Sequence, residues 1–219
     1  MTQSKTKDFF IKPENYLEAL NSKREFFIQF KSFTGDAESQ IINMIHRFLE
    51  NHDLIYHKNT VTSIIKELIN NAIKANLKRL YFESLKLDIN NTKDYRKGMN
   101  SFKNDVFQKE ENEIIKSLQM SKYIVRVKFD LINDNLAISV INNCKILESE
   151  LSKIKSRVTK AYRYKNIQEA FTDVIDDSEG EGLGLITALM LIKDSGFQKN
   201  SFTVSRNDTL TSINLIIPK

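Results

Sequence analysis

Glu67, Asn71 and Lys74 lie in the stretch "KELINNAIKAN". At 100° per residue on a helix they fall within about 60° of one another. A carboxylate, an amide and an ammonium in one row can handle a water, a metal ion and a phosphate together. Glu67 is the candidate to polarise a water. Asn71 offers a neutral oxygen to Mg²⁺, a hard cation that takes oxygen ligands. Lys74 meets a phosphate as a point charge. The same row is also compatible with an ordinary solvated face.

A second candidate lies far along the chain. "DSEGEGLGL" (Asp177–Leu185) holds three of the six glycines, Gly180, Gly182 and Gly184, and runs into the apolar "ITALMLIKDSGF". Glycines let a backbone approach phosphate closely, and a helix start offers free N–H groups and a positive dipole end. A flexible linker would use the same residues. The third candidate is the end of "ISVINNCKIL", where an apolar strand runs into Asn142 and Asn143.

The elements that must position these residues are readable from periodicity. From Asn59 to Leu77 the apolar set Val61, Ile64, Ile65, Leu68, Ile69, Ala72, Ile73 and Leu77 marks one face of a helix. Before it, "REFFIQFK" (Arg24–Lys31) reads as a strand. Ile41 to Leu49 reads as a helix with Asp36 as its cap. "KRLYFE" reads as a short strand. Residues 84–122 are polar, nearly charge-balanced and read as an insert, helical from Phe102 to Met120. "YIVRVKFDLINDNLAISVINN" is a hairpin turning at "NDN". Residues 147–179 carry no strand pattern and read as a variable loop. Leu183–Ile192 is a short helix ending near Gly196, and "SFTVSR" and "SINLIIPK" form a last strand pair. Residues 1–22 read as a tail or accessory helix and 23–219 as one domain. The order predicts an α+β fold with an antiparallel-rich sheet and helices on one face.

Composition narrows the function classes. With 219 residues and 41% hydrophobic content the chain can build a sizeable core. Its single cysteine, Cys144, excludes an intrachain disulfide framework and a cysteine-rich zinc site. A net charge of +5 allows anionic partners without demanding them. The first residues lack the apolar core of a signal peptide and no apolar run reaches membrane-spanning length, so a cytoplasmic location is expected.

Taken together, "E-x-x-x-N-A-x-K" on a helix, a strand ending in a polar residue, a variable segment, "G-x-G-L-G-L" opening a helix and a terminal hairpin resemble the ATP-binding domain of the histidine-kinase-like (GHKL) ATPases. The resemblance covers roughly Arg24 to Lys219, less the insert. It implies a Bergerat-type two-layer α/β sandwich with a mixed, mostly antiparallel sheet, and ATP and Mg²⁺ held under a lid at 147–179. By position, Glu67 falls on the acidic residue that activates water in hydrolysing members, and Asn71 falls on the magnesium-binding asparagine. Lys74 falls on a position that often meets phosphate, and Gly180, Gly182 and Gly184 fall on the phosphate-facing glycine box. One box departs from the pattern. Where the family shows D-x-G-x-G, this chain reads Asn142, Asn143, Cys144, Lys145, Ile146. Asn142 retains an amide oxygen to accept from the adenine amino group, without charge. The missing glycines imply weak nucleotide binding and weak turnover.

The layout is similar to that of the anti-sigma-factor serine kinases. His46, His52 and His57 lie outside any phosphoacceptor context, which argues against a sensor kinase. The expectation is therefore a signal-transduction protein that binds ATP and Mg²⁺ and acts through a protein partner, a regulator or a sigma-factor-like chain, with phosphorylation of Ser or Thr in view. A homodimer is compatible with this reading, and a membrane partner is not expected. The rival is a non-hydrolysing interaction module of the same fold. A weaker third is a nucleic-acid-associated ATPase. That one rests on "KIKSRVTKAYRYK" (Lys153–Lys165), whose six basic residues could hold phosphates while Tyr162 and Tyr164 stack on bases. The same segment also reads as a solvated charged loop, and nucleic acid is not the expected partner.

Overall fold

A computed structural model describes residues 25–107, 110–176 and 182–219. The tail at 1–22, Gly180 and the last residues of the 147–179 segment lie outside these. The elements in order are β1 (Phe26–Phe30), α1 (Asp36–Glu50), α2 (Lys58–Ser84), α3 (Thr92–Phe107) and α4 (Glu111–Met120). They are followed by β2 (Val125–Ile132), β3 (Asn135–Asn142), α5 (Glu148–Arg163), α6 (Ile167–Asp176), α7 (Leu183–Asp194), β4 (Phe202–Arg206) and β5 (Thr211–Ile217). The fold is α+β. The sheet order is β1-β2-β3-β5-β4, and every pairing among the described strands is antiparallel, where a mixed sheet was expected.

Strand alternation builds the core. Phe26, Ile28 and Phe30 of β1, Val125, Val127 and Phe129 of β2, and Leu136, Ile138 and Val140 of β3 are all buried on one face. Side chains alternate across a strand, so this face meets the helices while the other carries the polar residues. Phe26 stacks on Phe129 at 4.7 Å, and Phe48 of α1 meets Phe129 edge-on at 5.3 Å, fastening α1 to the sheet. The β2–β3 hairpin turns at Asn133 and Asp134 with φ of 50° and 65°. A two-residue loop with both residues left-handed matches the strand twist, and Asn and Asp tolerate that region.

Three local expectations are corrected. Asp36 is the first residue of α1 and not its cap, which is Gly35 with φ 55°. "KRLYFE" is not a strand, because α2 runs through it to Ser84. Its Tyr81 and Phe82 keep helical phase and bury against Val106 of the insert, so packing from α3 overrides their β propensity. The insert holds two helices, α3 beginning at Thr92 and α4 ending at Met120. Lys31, just after β1, donates to the carbonyls of Gln119 at 2.8 Å and Ser121 at 2.5 Å, tying the end of α4 to the sheet.

The 147–179 segment differs most from its reading as a loop, since α5 and α6 fill it through Asp176. Leu151, Ala161 and Ala170 are buried, with Ile154 and Val158 packed against the core. Among the described residues, no helix is long and apolar enough to cross a membrane.

Candidate functional site

Helix α2 is the spine of the site. It packs on β3 and on α7, so one helix reaches both the end of the hairpin and the glycine-opened helix. Glu67 and Asn71 are half-buried on its polar stripe, and Asn71 Nδ2 donates to Glu67 Oε1 at 2.8 Å. Lys74 follows on the same stripe and is exposed.

Helix α7 closes on this stripe through its glycines. A Cβ added at Gly184 would overlap the Glu67 carboxylate. The first turn of α7 can lie against that carboxylate only because residue 184 has no side chain. Gly182 caps α7 with φ 128°, a backbone that L side chains rarely adopt, and a Cβ there would overlap the Arg157 guanidinium of α5. The start of α7 is therefore flanked by a carboxylate on one side and a guanidinium on the other, with its own first-turn N–H groups between them. Of the six binding residues read from sequence, Asn71 and Gly184 meet directly around Glu67, and Gly182 lies beside them at Arg157.

Asn142, the last residue of β3, meets α2 about one turn beyond Asn71. It is buried, and its Nδ2 donates to Ala72 O at 2.8 Å and to Asn76 Oδ1 at 2.7 Å. The amide is engaged inward, with helix α2 as its partner. Asn76 is fully buried, and among the described residues its own Nδ2 has no partner. Cys144 reaches Asn76 Oδ1 at 3.6 Å, and burial pushes its thiol above the usual range. Thr211 Oγ1 donates to Cys144 O at 2.7 Å, and Asn143 Nδ2 donates to Lys122 O at 2.8 Å. The segment after β3 is thus held in place by side chains.

A last cluster completes the seam. Arg79 donates to Ala75 O at 2.9 Å, Lys145 O at 2.7 Å and Glu150 Oε2 at 3.0 Å. Lys78 pairs with Glu150 Oε1 at 2.6 Å. Glu150 also accepts the Leu147 N–H at 3.1 Å, capping α5. Burial would raise the Glu150 carboxyl, but the charges of Lys78 and Arg79 outweigh it and hold the group below the usual carboxylate range. Sequence reasoning missed Asn76, Arg79, Glu150 and Arg157. Asn76 was the most findable, since it stands seven residues after Ile69 on the apolar face, where an amide needs a partner.

The three histidines have structural surroundings. His46 Nε2 meets Thr62 Oγ1 at 3.2 Å, His52 lies edge-on to Phe48, and His57 packs on Phe197, its pKa lowered by burial.

No family model and no solved structure matches the chain. Among curated proteins it is similar to an uncharacterized protein of Treponema pallidum (strain Nichols), 34% identical over 162 residues. The match covers 74% of this chain and 31% of the relative, so the chain spans about a third of that protein's length.

Proposed function

We propose that the chain is an ATP- and Mg²⁺-binding regulatory protein of the histidine-kinase-like ATPase class, acting in the cytoplasm through a protein partner. The observation that carries this reading is the seat of Gly184 on Glu67, with Asn71 bonded to the same carboxylate. A glycine-opened helix start meets a carboxylate and an amide, which is what a phosphate with its metal ion requires. Asn71 and Glu67 would hold the magnesium side, and the first turn of α7 and Lys74 the phosphates. Bound ATP–Mg²⁺ would supply the transferable phosphoryl group.

The measurement is calorimetry with ATP, ADP and a non-hydrolysable analogue, with and without Mg²⁺. ATP should bind and Mg²⁺ should tighten it, and Asn71→Ala should remove the magnesium dependence while leaving the unfolding transition in place. No binding at millimolar nucleotide would sink this reading. Isolated turnover should be slow, and any phosphotransfer should go to Ser or Thr of the partner.

The second reading is a non-hydrolysing interaction module. It is favoured by Asn142, whose amide donates into α2, leaving the expected adenine side filled by protein groups. Nucleotide binding without any labelled product on a partner would support it.

A further inference from the structure

As a loop, Lys153–Lys165 would scatter its cations in all directions. As helix α5 it sorts them. Glu150, Leu151, Ile154, Val158 and Ala161 take the inward arc. The exposed residues after Glu148 are Ser149, Ser152, Lys153, Lys155, Ser156, Thr159 and Arg163. Each of them is a serine, a threonine or a cation. Among the described residues, the carboxylates nearby are already engaged. Glu148 pairs with Arg206 at 2.6 Å, and Asp173 of α6 is held by Lys160 at 2.9 Å and by the Tyr164 hydroxyl. Glu169 accepts the Lys165 N–H at 2.8 Å. Among the described residues, Lys153, Lys155 and Arg163 make no ion pair.

We infer that this outward face of α5 binds the phosphate backbone of a nucleic-acid duplex. Lysine and arginine with interleaved hydroxyls are the groups that hold phosphate oxygens. The stacking role considered for Tyr162 and Tyr164 falls away, because the Tyr162 hydroxyl is buried and that of Tyr164 bonds Asp173. Without a stacking platform the contact is to the backbone and indifferent to sequence. At 1.5 Å per residue, Lys153 and Arg163 stand about 15 Å apart along the helix, enough to face several phosphates.

The test is fluorescence anisotropy of the full chain with a short labelled DNA duplex over a salt series. Three neutralised phosphates predict binding about 40-fold weaker at 200 mM than at 50 mM salt. The variant K153Q/K155Q/R163Q should bind more than about 100-fold more weakly at 50 mM and lose most of the salt dependence. Its unfolding midpoint should stay that of the wild type, since the three side chains are exposed. The inference is overturned by absence of binding at low salt or by a variant that binds like wild type. It is equally overturned if a polyglutamate peptide of matched charge competes as well as the duplex, which would make the face a dock for an acidic protein.

Discussion

Helix α2 carries two polar clusters built in opposite ways. Around Arg79 the guanidinium, Lys78, Glu150 and two backbone carbonyls use one another up. Around Glu67 there is, among the described residues, one internal bond, from Asn71, and the rest of the carboxylate faces a helix start whose N–H groups are not spent on a capping side chain there. The first cluster fixes backbone: it holds the segment after β3 and the start of α5 against α2. The second leaves capacity for something outside the chain. Buried polar groups with every bond made stabilise a fold, while those with spare capacity mark sites.

The strongest way to break this contrast is Arg79→Ala. It removes one of the two cations on Glu150 and the donor to the Ala75 and Lys145 carbonyls, leaving Lys78 on the carboxylate, and should cost about 3 kcal/mol, seen as a lowered urea midpoint. A loss no larger than that of Glu67→Ala would erase the difference between the clusters. Next is Asn142→Asp, which installs the aspartate of the ATPase pattern that the sequence resembles. Here it replaces two donated bonds by a carboxylate facing Ala72 O and Asn76 Oδ1, so the expected loss is about 2–3 kcal/mol. Unchanged stability of this variant, together with tighter ATP binding, would mean that the position is free to serve a base after all.

Gly184→Ala should cost about 1–2 kcal/mol through its clash with Glu67. Because the obstacle is the end of a flexible side chain, Glu67→Ala should relieve most of that cost. A double-mutant cycle with no coupling would contradict the contact. The smallest effect concerns pH. Glu150 has a depressed folded pKa, so its contribution is complete above the unfolded value of about 4.3 and fades as pH falls through the folded one. Between about pH 6 and pH 3, unfolding free energy should drop more steeply for wild type than for Glu150→Gln. Parallel curves would place the group elsewhere.

Legibility followed the reach of each interaction. The β2–β3 hairpin and the end of α7 at Gly196 were readable because local turn chemistry decides them. The Glu67–Asn71 row was readable because both residues sit on one helix. The length of α2 was not, since Tyr81 and Phe82 take their conformation from packing against α3, a contact that no local pattern announces. Segment 147–176 was misread because the apolar period of α5 is only Leu151, Ile154, Val158 and Ala161, diluted by serines and lysines. The inward turn of Asn142 needed Asn76 beside it, a contact between residues 66 positions apart.

The pairing of β1 with β2 also bears on how the chain folds. Gln29 and Arg126, bonded across the two strands, are 97 residues apart in sequence. Closing a loop of that size costs about 3 kcal/mol more than closing a hairpin of a few residues. The hairpin should therefore zip early and β1 should dock late, after α1 and α2 have brought it round. The logarithm also explains where the chain tolerates extra sequence. Residues 84–122 lie inside that already wide loop, where their length adds only about half a kcal/mol to closure. The β1–β2 crossing is thus a connection in this sheet that can lengthen almost without kinetic penalty, and Lys31 then needs only two carbonyls at the end of α4 to hold the addition in place.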